Sequence, residues 1–221
     1  MEYLTHSLIN QSEALQIIQK LKAEKSSWQD GKKTAGSHAA KIKSNFQLDK
    51  NSKLSINLRD IIANKIIANT LIKSFTLPRL IHGVMFTKSL SGNGYGMHVD
   101  NPYMPSGRSD LSFTLFLNAP EDYIGGELCI QTINKTEKIK LSAGEMIIYP
   151  STQLHSVVEV KDGERYVCVG WIESYVQSNE DRNFLFGLDA GAKALLAKHG
   201  RSDELDLIFQ AYSNLLRRLG D

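Results

Sequence analysis

Two short stretches of this 221-residue chain carry residue types suited to binding a metal. The first is Tyr95-Gly96-Met97-His98-Val99-Asp100. Side chains two apart on a strand point the same way, so His98 and Asp100 can face one centre together. The second is Leu154-His155-Ser156-Val157-Val158, at the start of a later apolar stretch. In an antiparallel arrangement a late strand can lie beside an early one, which would bring His155 to the same point. Two imidazoles and one carboxylate on one face of a metal form the triad of non-haem Fe(II) centres and leave open positions for other ligands. A His-x-Asp pair alone is weak evidence for this; the later histidine strengthens it. Arg165 strengthens it further, because it begins the apolar run Tyr166-Val167-Cys168-Val169. An arginine pointing into an interior needs a carboxylate partner, and a dicarboxylate would offer one in bidentate geometry. The alternative is an edge arginine in a surface salt bridge.

These residues require β-strands to hold them, and the central part of the chain has the right pattern. From Leu111 to Asn118 apolar and mixed residues alternate with a period of two. Further apolar stretches follow at 127–132, 138–141, 146–149, 154–160 and 166–171. Turn residues separate them: Gly125-Gly126, Asn134-Lys135, Ala143-Gly144 and Asp162-Gly163. Short strands at such intervals predict an antiparallel sandwich or barrel, with room for a small-molecule pocket at its mouth.

The flanks read differently. Residues 1–79 are expected to be mostly helical, with Ala14, Leu15, Ile17, Ile18 and Leu21 at helical spacing behind Asn10 and Glu13. A second helix is expected around Leu58, Ile61, Ile62, Ile66 and Leu71. The polar, lysine-rich stretch 22–51 between them reads as a solvated loop, or as a mobile segment over a site. Residues 178–221 are helical again, with an amphipathic face of Leu205, Leu207, Ile208, Tyr212, Leu215 and Leu216, and with Gly187 and Gly200 as helix stops. The expected organisation is therefore a support at 1–79, a β core at 80–177 and a helical region at 178–221.

Composition narrows the classes. Lys plus Arg is 26 against 24 for Asp plus Glu, so nothing points to nucleic acid or a membrane surface. Two cysteines, Cys129 and Cys168, are too few for a disulfide framework and read as small buried hydrophobes. No signal peptide and no apolar run of membrane-spanning length is seen, so a cytoplasmic protein is expected.

Taken together, His98-x-Asp100, His155 and Arg165 resemble the Fe(II)/2-oxoglutarate-dependent oxygenases, and more narrowly the bacterial PKHD-type hydroxylases related to prolyl 4-hydroxylase catalytic domains. The resemblance covers nearly the whole chain. It includes Trp28-x-Asp30-Gly31, Thr34-x-Gly36, Ala39, Lys43-x-Asn45-x-Gln47, Tyr95-Gly96, Arg108-x-Asp110-Leu111-Ser112-x-Thr114, Gly125-Gly126-Glu127-Leu128, Tyr149-Pro150-Ser151 and Trp171-Ile172. It implies an α+β fold: a double-stranded β-helix (jelly-roll) core with N-terminal supporting helices and a small C-terminal helical region.

The resemblance also implies roles. His98, Asp100 and His155 would bind Fe(II), and Arg165 the far carboxylate of the cosubstrate 2-oxoglutarate. Thr114, Trp171 and Tyr95 would lie near the cosubstrate, Trp171 having plain core packing as its alternative. Arg108 would reach a substrate at the mouth. The implied reaction is hydroxylation by O2 with succinate and CO2 as coproducts, assisted by ascorbate. The substrate, small molecule or peptidyl, is left open, as is self-association through the helical regions. Where relatives often carry a tyrosine that helps hold 2-oxoglutarate, this chain has Ser89. A cupin-like metalloenzyme without 2-oxoglutarate and a non-catalytic 2-oxoglutarate or iron sensor are the rival classes.

Overall fold

A computed structural model of the chain describes residues 3–34 and 41–221. Gly36 and Ala39 of the sequence motifs lie outside the described residues.

The elements run in the order β1 (Leu4–Ser7), α1 (Gln11–Ala23), β2 (Trp28–Asp30), β3 (Lys43–Ser44), β4 (Phe46–Leu48), α2 (Lys53–Ala68), α3 (Thr70–Thr76), β5 (Pro78–Ser89), β6 (Gly94–His98), β7 (Tyr103–Met104), β8 (Gly107–Arg108) and β9 (Leu111–Phe116). They continue with β10 (Tyr123–Gly125), β11 (Leu128–Gln131), β12 (Thr136–Ile139), β13 (Glu145–Pro150), β14 (His155–Val157), β15 (Val160–Gly163), β16 (Arg165–Ser174), α4 (Asn179–His199) and α5 (Asp203–Leu219).

Two antiparallel sheets dominate. The larger has seven strands in the order β1-β13-β9-β16-β5-β4-β2, and the smaller has five in the order β12-β11-β14-β6-β3. Two short ribbons, β10-β15 and β7-β8, complete the strands.

The large sheet is buried on both faces, and its residue alternation sorts two environments. Val84 and Phe86 of β5, Leu111, Phe113 and Leu115 of β9, Met146 and Ile148 of β13, and Cys168 and Ile172 of β16 form one cluster with the helices. The helices contribute Ala14, Ile17, Ile18 and Leu21 from α1, and Leu58, Ile62 and Ile66 from α2. The intervening residues of the same strands, among them Ser112, Thr114, Tyr149, Val167 and Val169, line a cavity together with residues of the small sheet. A strand's period of two thus gives the sheet an apolar back against helices and a mixed front around a pocket.

The first helix forms as its sequence suggests. Asn10 Oδ1 accepts from the Glu13 amide at 2.9 Å, and Glu13 Oε2 accepts from the Asn10 amide at 3.0 Å, a closed capping box. The N-terminal region as a whole corrects the expectation. β1 pairs with β13, β2 and β4 extend the large sheet, and β3 edges the small sheet. The stretch 22–51 is therefore not simply a loop. Its strands are two or three residues long, too short to show a periodicity, and backbone pairing rather than apolar patterning holds them.

Smaller corrections concern the later elements. The single strand expected at 154–160 is split into β14 and the start of β15, so Asp162-Gly163 lies within β15. Gly187 is inside α4, with nothing within 4 Å of where a Cβ would stand, whereas Gly200 caps that helix. Leu207 is 65% exposed, off the face by which α5 packs; that face uses Tyr212, Leu215 and Leu216 against Leu77, Val176 and Leu185. Cys129 and Cys168 are free and buried. No described helix is long and apolar enough to cross a membrane.

Leu115 is fully buried between the large sheet and the helix layer. Leu115→Ala is expected to lower unfolding free energy by about 2–5 kcal/mol in urea titration, through lost transfer energy and the cavity left behind.

Candidate metal centre

The register of the small sheet brings the two histidines together. β14 pairs with β6 so that His155 stands directly opposite His98. Their ring centroids are 4.2 Å apart. Asp100 follows two residues after His98, just past the end of β6, and one ligand atom from each of the three lies within 4.8 Å of the others.

The imidazoles are oriented by backbone. His98 Nδ1 lies 2.8 Å from the Gly96 carbonyl oxygen, and His155 Nδ1 lies 3.0 Å from that of Gln153. A carbonyl can only accept, so Nδ1 carries the proton in each ring and Nε2 keeps its lone pair for a metal. Tyr95 stacks on His98 at 3.6 Å between ring centroids, and Tyr149 meets His155 edge-on at 5.2 Å. Burial and the neighbouring His155 depress the His98 imidazole from 6.5 to about 4, which keeps it neutral.

Asp100 is held from the opposite sheet. Ser112 Oγ donates to its Oδ2 at 2.6 Å, and Trp171 Nε1 donates to the same oxygen at 2.9 Å. Ser112 Oγ also lies 2.7 Å from Ser151 Oγ. The same Asp100 Oδ2 lies 3.8 Å from His155 Nε2, and Oδ1 accepts no hydrogen bond from the described residues. Two imidazole nitrogens and a carboxylate oxygen converging on one point fit a divalent first-row metal such as Fe(II).

Trp171 has support of its own. Its ring stacks on His82, which is buried and bonds to Ser106 Oγ and the Arg108 carbonyl, both at 2.9 Å. Gly83, at φ +60°, passes beneath the indole; a Cβ there would stand 2.5 Å from Trp171 Cε3. Only glycine meets both demands without strain.

Arg165 opens β16 and is 3% exposed. It pairs across the sheet with Ser89, and both residues line the cavity. Phe116 packs under the guanidinium carbon at 5.6 Å, and Tyr123 and Tyr149 stand nearby. Gly126 makes room for it, since a Cβ there would meet Arg165 Cδ at 2.8 Å. No described carboxylate forms an ion pair with Arg165, and its Nε has no hydrogen-bond partner. A buried guanidinium left in this state is costly, and a ligand carboxylate in the cavity would relieve that cost.

The triad and Arg165 line one cavity of about 560 Å³ between the two sheets, which Tyr95, Thr114 and Trp171 also line. Arg108 is not brought to it. Its guanidinium bonds to Asp110 at 2.9 Å, to Asp221 at 3.2 Å and to the Ser174 carbonyl at 2.8 Å, tying the β8–β9 corner to the C-terminus. Ser112, His82, Ser151 and Lys43 are site residues that spacing did not single out. Ser112 was within reach, being on the same strand face as Thr114; His82 had no local signal.

Residues 84–173 match the model of the 2OG-Fe(II) oxygenase superfamily. A PKHD-type hydroxylase of Prochlorococcus marinus strain NATL1A is 88% identical over 221 residues, covering 100% of both chains. Its counterpart in strain NATL2A is 87% identical over the same span. The chain belongs to the PKHD-type hydroxylases. Among solved structures, a Trichoplax adhaerens prolyl hydroxylase in complex with a hypoxia inducible factor peptide fragment matches with TM-score 0.57 at 17% identity, over 83% of this chain and 86% of that one. A Pseudomonas putida prolyl-4-hydroxylase matches with TM-score 0.52 at 17% identity, over 78% and 92%. At that identity the likeness concerns the fold, and this PKHD-type hydroxylase shares with them its antiparallel sheets and flanking helices.

Two outcomes are expected of the site. Trp171→Phe keeps the ring but deletes the donor to Asp100, so Mn(II) or Fe(II) affinity measured by calorimetry falls about tenfold or more. The metal-free protein loses stability as pH falls from 6.5 toward 4, because there the unfolded chain binds a proton at His98 that the folded chain does not. Urea midpoints measured across that range show the slope, and His98→Asn flattens it.

Proposed function

We propose that this protein is an Fe(II)- and 2-oxoglutarate-dependent hydroxylase acting on a small organic substrate, with succinate and CO2 as coproducts. The observation that carries the reading is Arg165: a buried guanidinium without a carboxylate partner among the described residues, in the same cavity as a His-Asp-His cluster. The two sheets around that cavity are read as the double-stranded β-helix of the superfamily.

In this reading His98 Nε2, His155 Nε2 and the Asp100 carboxylate would hold the iron. When bound, Fe(II) and 2-oxoglutarate supply the oxidising chemistry, by which O2 places one oxygen in the substrate C–H bond and the other in succinate. The chain's own work is positional. Arg165 pairs with the far carboxylate and fixes the cosubstrate along the axis of the cavity. Thr114, Tyr149 and Ser89 line the path between that end and the metal. Tyr149 and Tyr123 bring hydroxyl groups toward Arg165, where Ser89 offers only a short side chain. Ser112 and Trp171 hold the Asp100 carboxylate in place, and Val167, Val169 and Phe116 keep water away from the guanidinium.

The test follows succinate by mass spectrometry after O2 is admitted to anaerobically Fe(II)-loaded protein with 2-oxoglutarate. Native protein is expected to form succinate slowly without substrate, and His155→Ala to fall to the background of iron in buffer. Arg165→Met is expected to weaken 2-oxoglutarate binding by roughly 10- to 100-fold, the worth of charge-assisted hydrogen bonds at a buried site. Equal succinate from native protein and His155→Ala, or unchanged 2-oxoglutarate affinity in Arg165→Met, would contradict the reading.

A further inference from the structure

Among the described charged residues lining the cavity, Lys43 is the one the proposed reaction does not employ. It sits on β3, at the edge of the small sheet, paired with Tyr95 of β6. The residue is 8% exposed. Its ammonium lies 5.1 Å over the Tyr95 ring, and no described carboxylate forms an ion pair with it. Asp100 and Asp30 act on it only through their fields, and burial pushes the ammonium down to about 8, which still leaves it mostly protonated at neutral pH. Asn45 and Gln47, which follow it along the chain, line the same wall.

The charges of the site make this cation conspicuous. This count rests on the 2-oxoglutarate reading above. Fe(II) and Arg165 bring three positive charges, and Asp100 with the two carboxylates of 2-oxoglutarate brings three negative ones. The reacting centre is then neutral without Lys43. A buried ammonium beyond that balance is unfavourable until an anion reaches it.

The cavity mouth indicates what else that anion carries. Ile42, Met97, Val99 and Leu154 line the cavity yet remain 43%, 44%, 51% and 43% exposed. They form an apolar rim around an opening whose inner wall holds a cation. We propose that Lys43 anchors a carboxylate of the substrate, and that the substrate is a small organic acid with an apolar body lying across this rim. Lys43 is then a specificity-determining residue: it fixes one end of the substrate, and the distance from that end to the metal selects the carbon that reacts.

The test uses hexanoate and hexan-1-ol as probes of equal chain length. Binding to anaerobic Fe(II)-loaded protein saturated with 2-oxoglutarate is measured by calorimetry. Native protein is expected to favour the acid by about tenfold or more, as a charge-assisted pair at a buried site provides. Lys43→Met, of similar length and without charge, brings the preference to near unity, and Lys43→Arg keeps it. A native protein that binds neither probe, or both equally, overturns the inference. So does a Lys43→Met variant that still favours the acid, because another group then takes the carboxylate. The affinity for 2-oxoglutarate is read on each protein. Loss of that affinity in Lys43→Met would assign Lys43 to the cosubstrate and overturn the inference while leaving the proposed function standing. Absence of 2-oxoglutarate binding by native protein would instead overturn the proposed function.

Discussion

The carboxylate of Asp100 is the tie between the two sheets. It is borne by the loop that leaves the small sheet, but its Oδ2 is held by Ser112 and Trp171, both of the large sheet. The two histidines need no such bridge, since the β6–β14 pairing already sets them side by side. Without the cross-cavity hydrogen bonds the third candidate ligand would hang on a loop, free to take many rotamers, and the cluster would be a pair. The rest of the interior can be understood as support for that bridge. Gly83 gives Trp171 space, His82 stacks against it, and Ser151 holds the hydroxyl of Ser112.

The bridge depends in turn on a large sheet that has no solvent face along its central strands. Helices α1, α2 and α3 cover its back with aliphatic side chains, so the front is free to carry polar ones. A serine or threonine pointing into that front is not a failure of packing. Ser112 supplies a hydrogen bond to Asp100 from there. The burial of that front makes Arg165 informative. Its aliphatic stem is accommodated by Gly126 and its guanidinium lies over Phe116, while its charge meets no carboxylate among the described residues.

Much of this was legible in the sequence, and what was not has physical causes. The two-residue period at Leu111–Phe116 announced a strand, and the spacing of His98, Asp100, His155 and Arg165 pointed to residues that the fold brings to one cavity. Asn10 and Glu13 announced a capping box. Strands β2, β3 and β4 stayed hidden because two or three residues carry no period; β2 pairs with β4, and the partners of β3 and β4, β6 and β5, lie some forty or more positions further on. The structural role of Arg108 was hidden for a related reason. An arginine two residues before an aspartate looks much the same whether it faces a substrate or closes a corner, and its bonds to Asp221 and Ser174 are set by where the C-terminus folds back. Trp171 packs on His82 and also lines the cavity.

The central claim is that one cavity holds Fe(II) at His98, Asp100 and His155 and 2-oxoglutarate against Arg165 at the same time. Visible absorption under anaerobic conditions reads this directly, because a 2-oxo acid chelated to Fe(II) gives a metal-to-ligand charge-transfer band that neither partner gives alone. The account predicts that the band appears when both are added to the native protein and is lost in Asp100→Ala. A protein that binds Fe(II) and yet develops no band at saturating 2-oxoglutarate would contradict it.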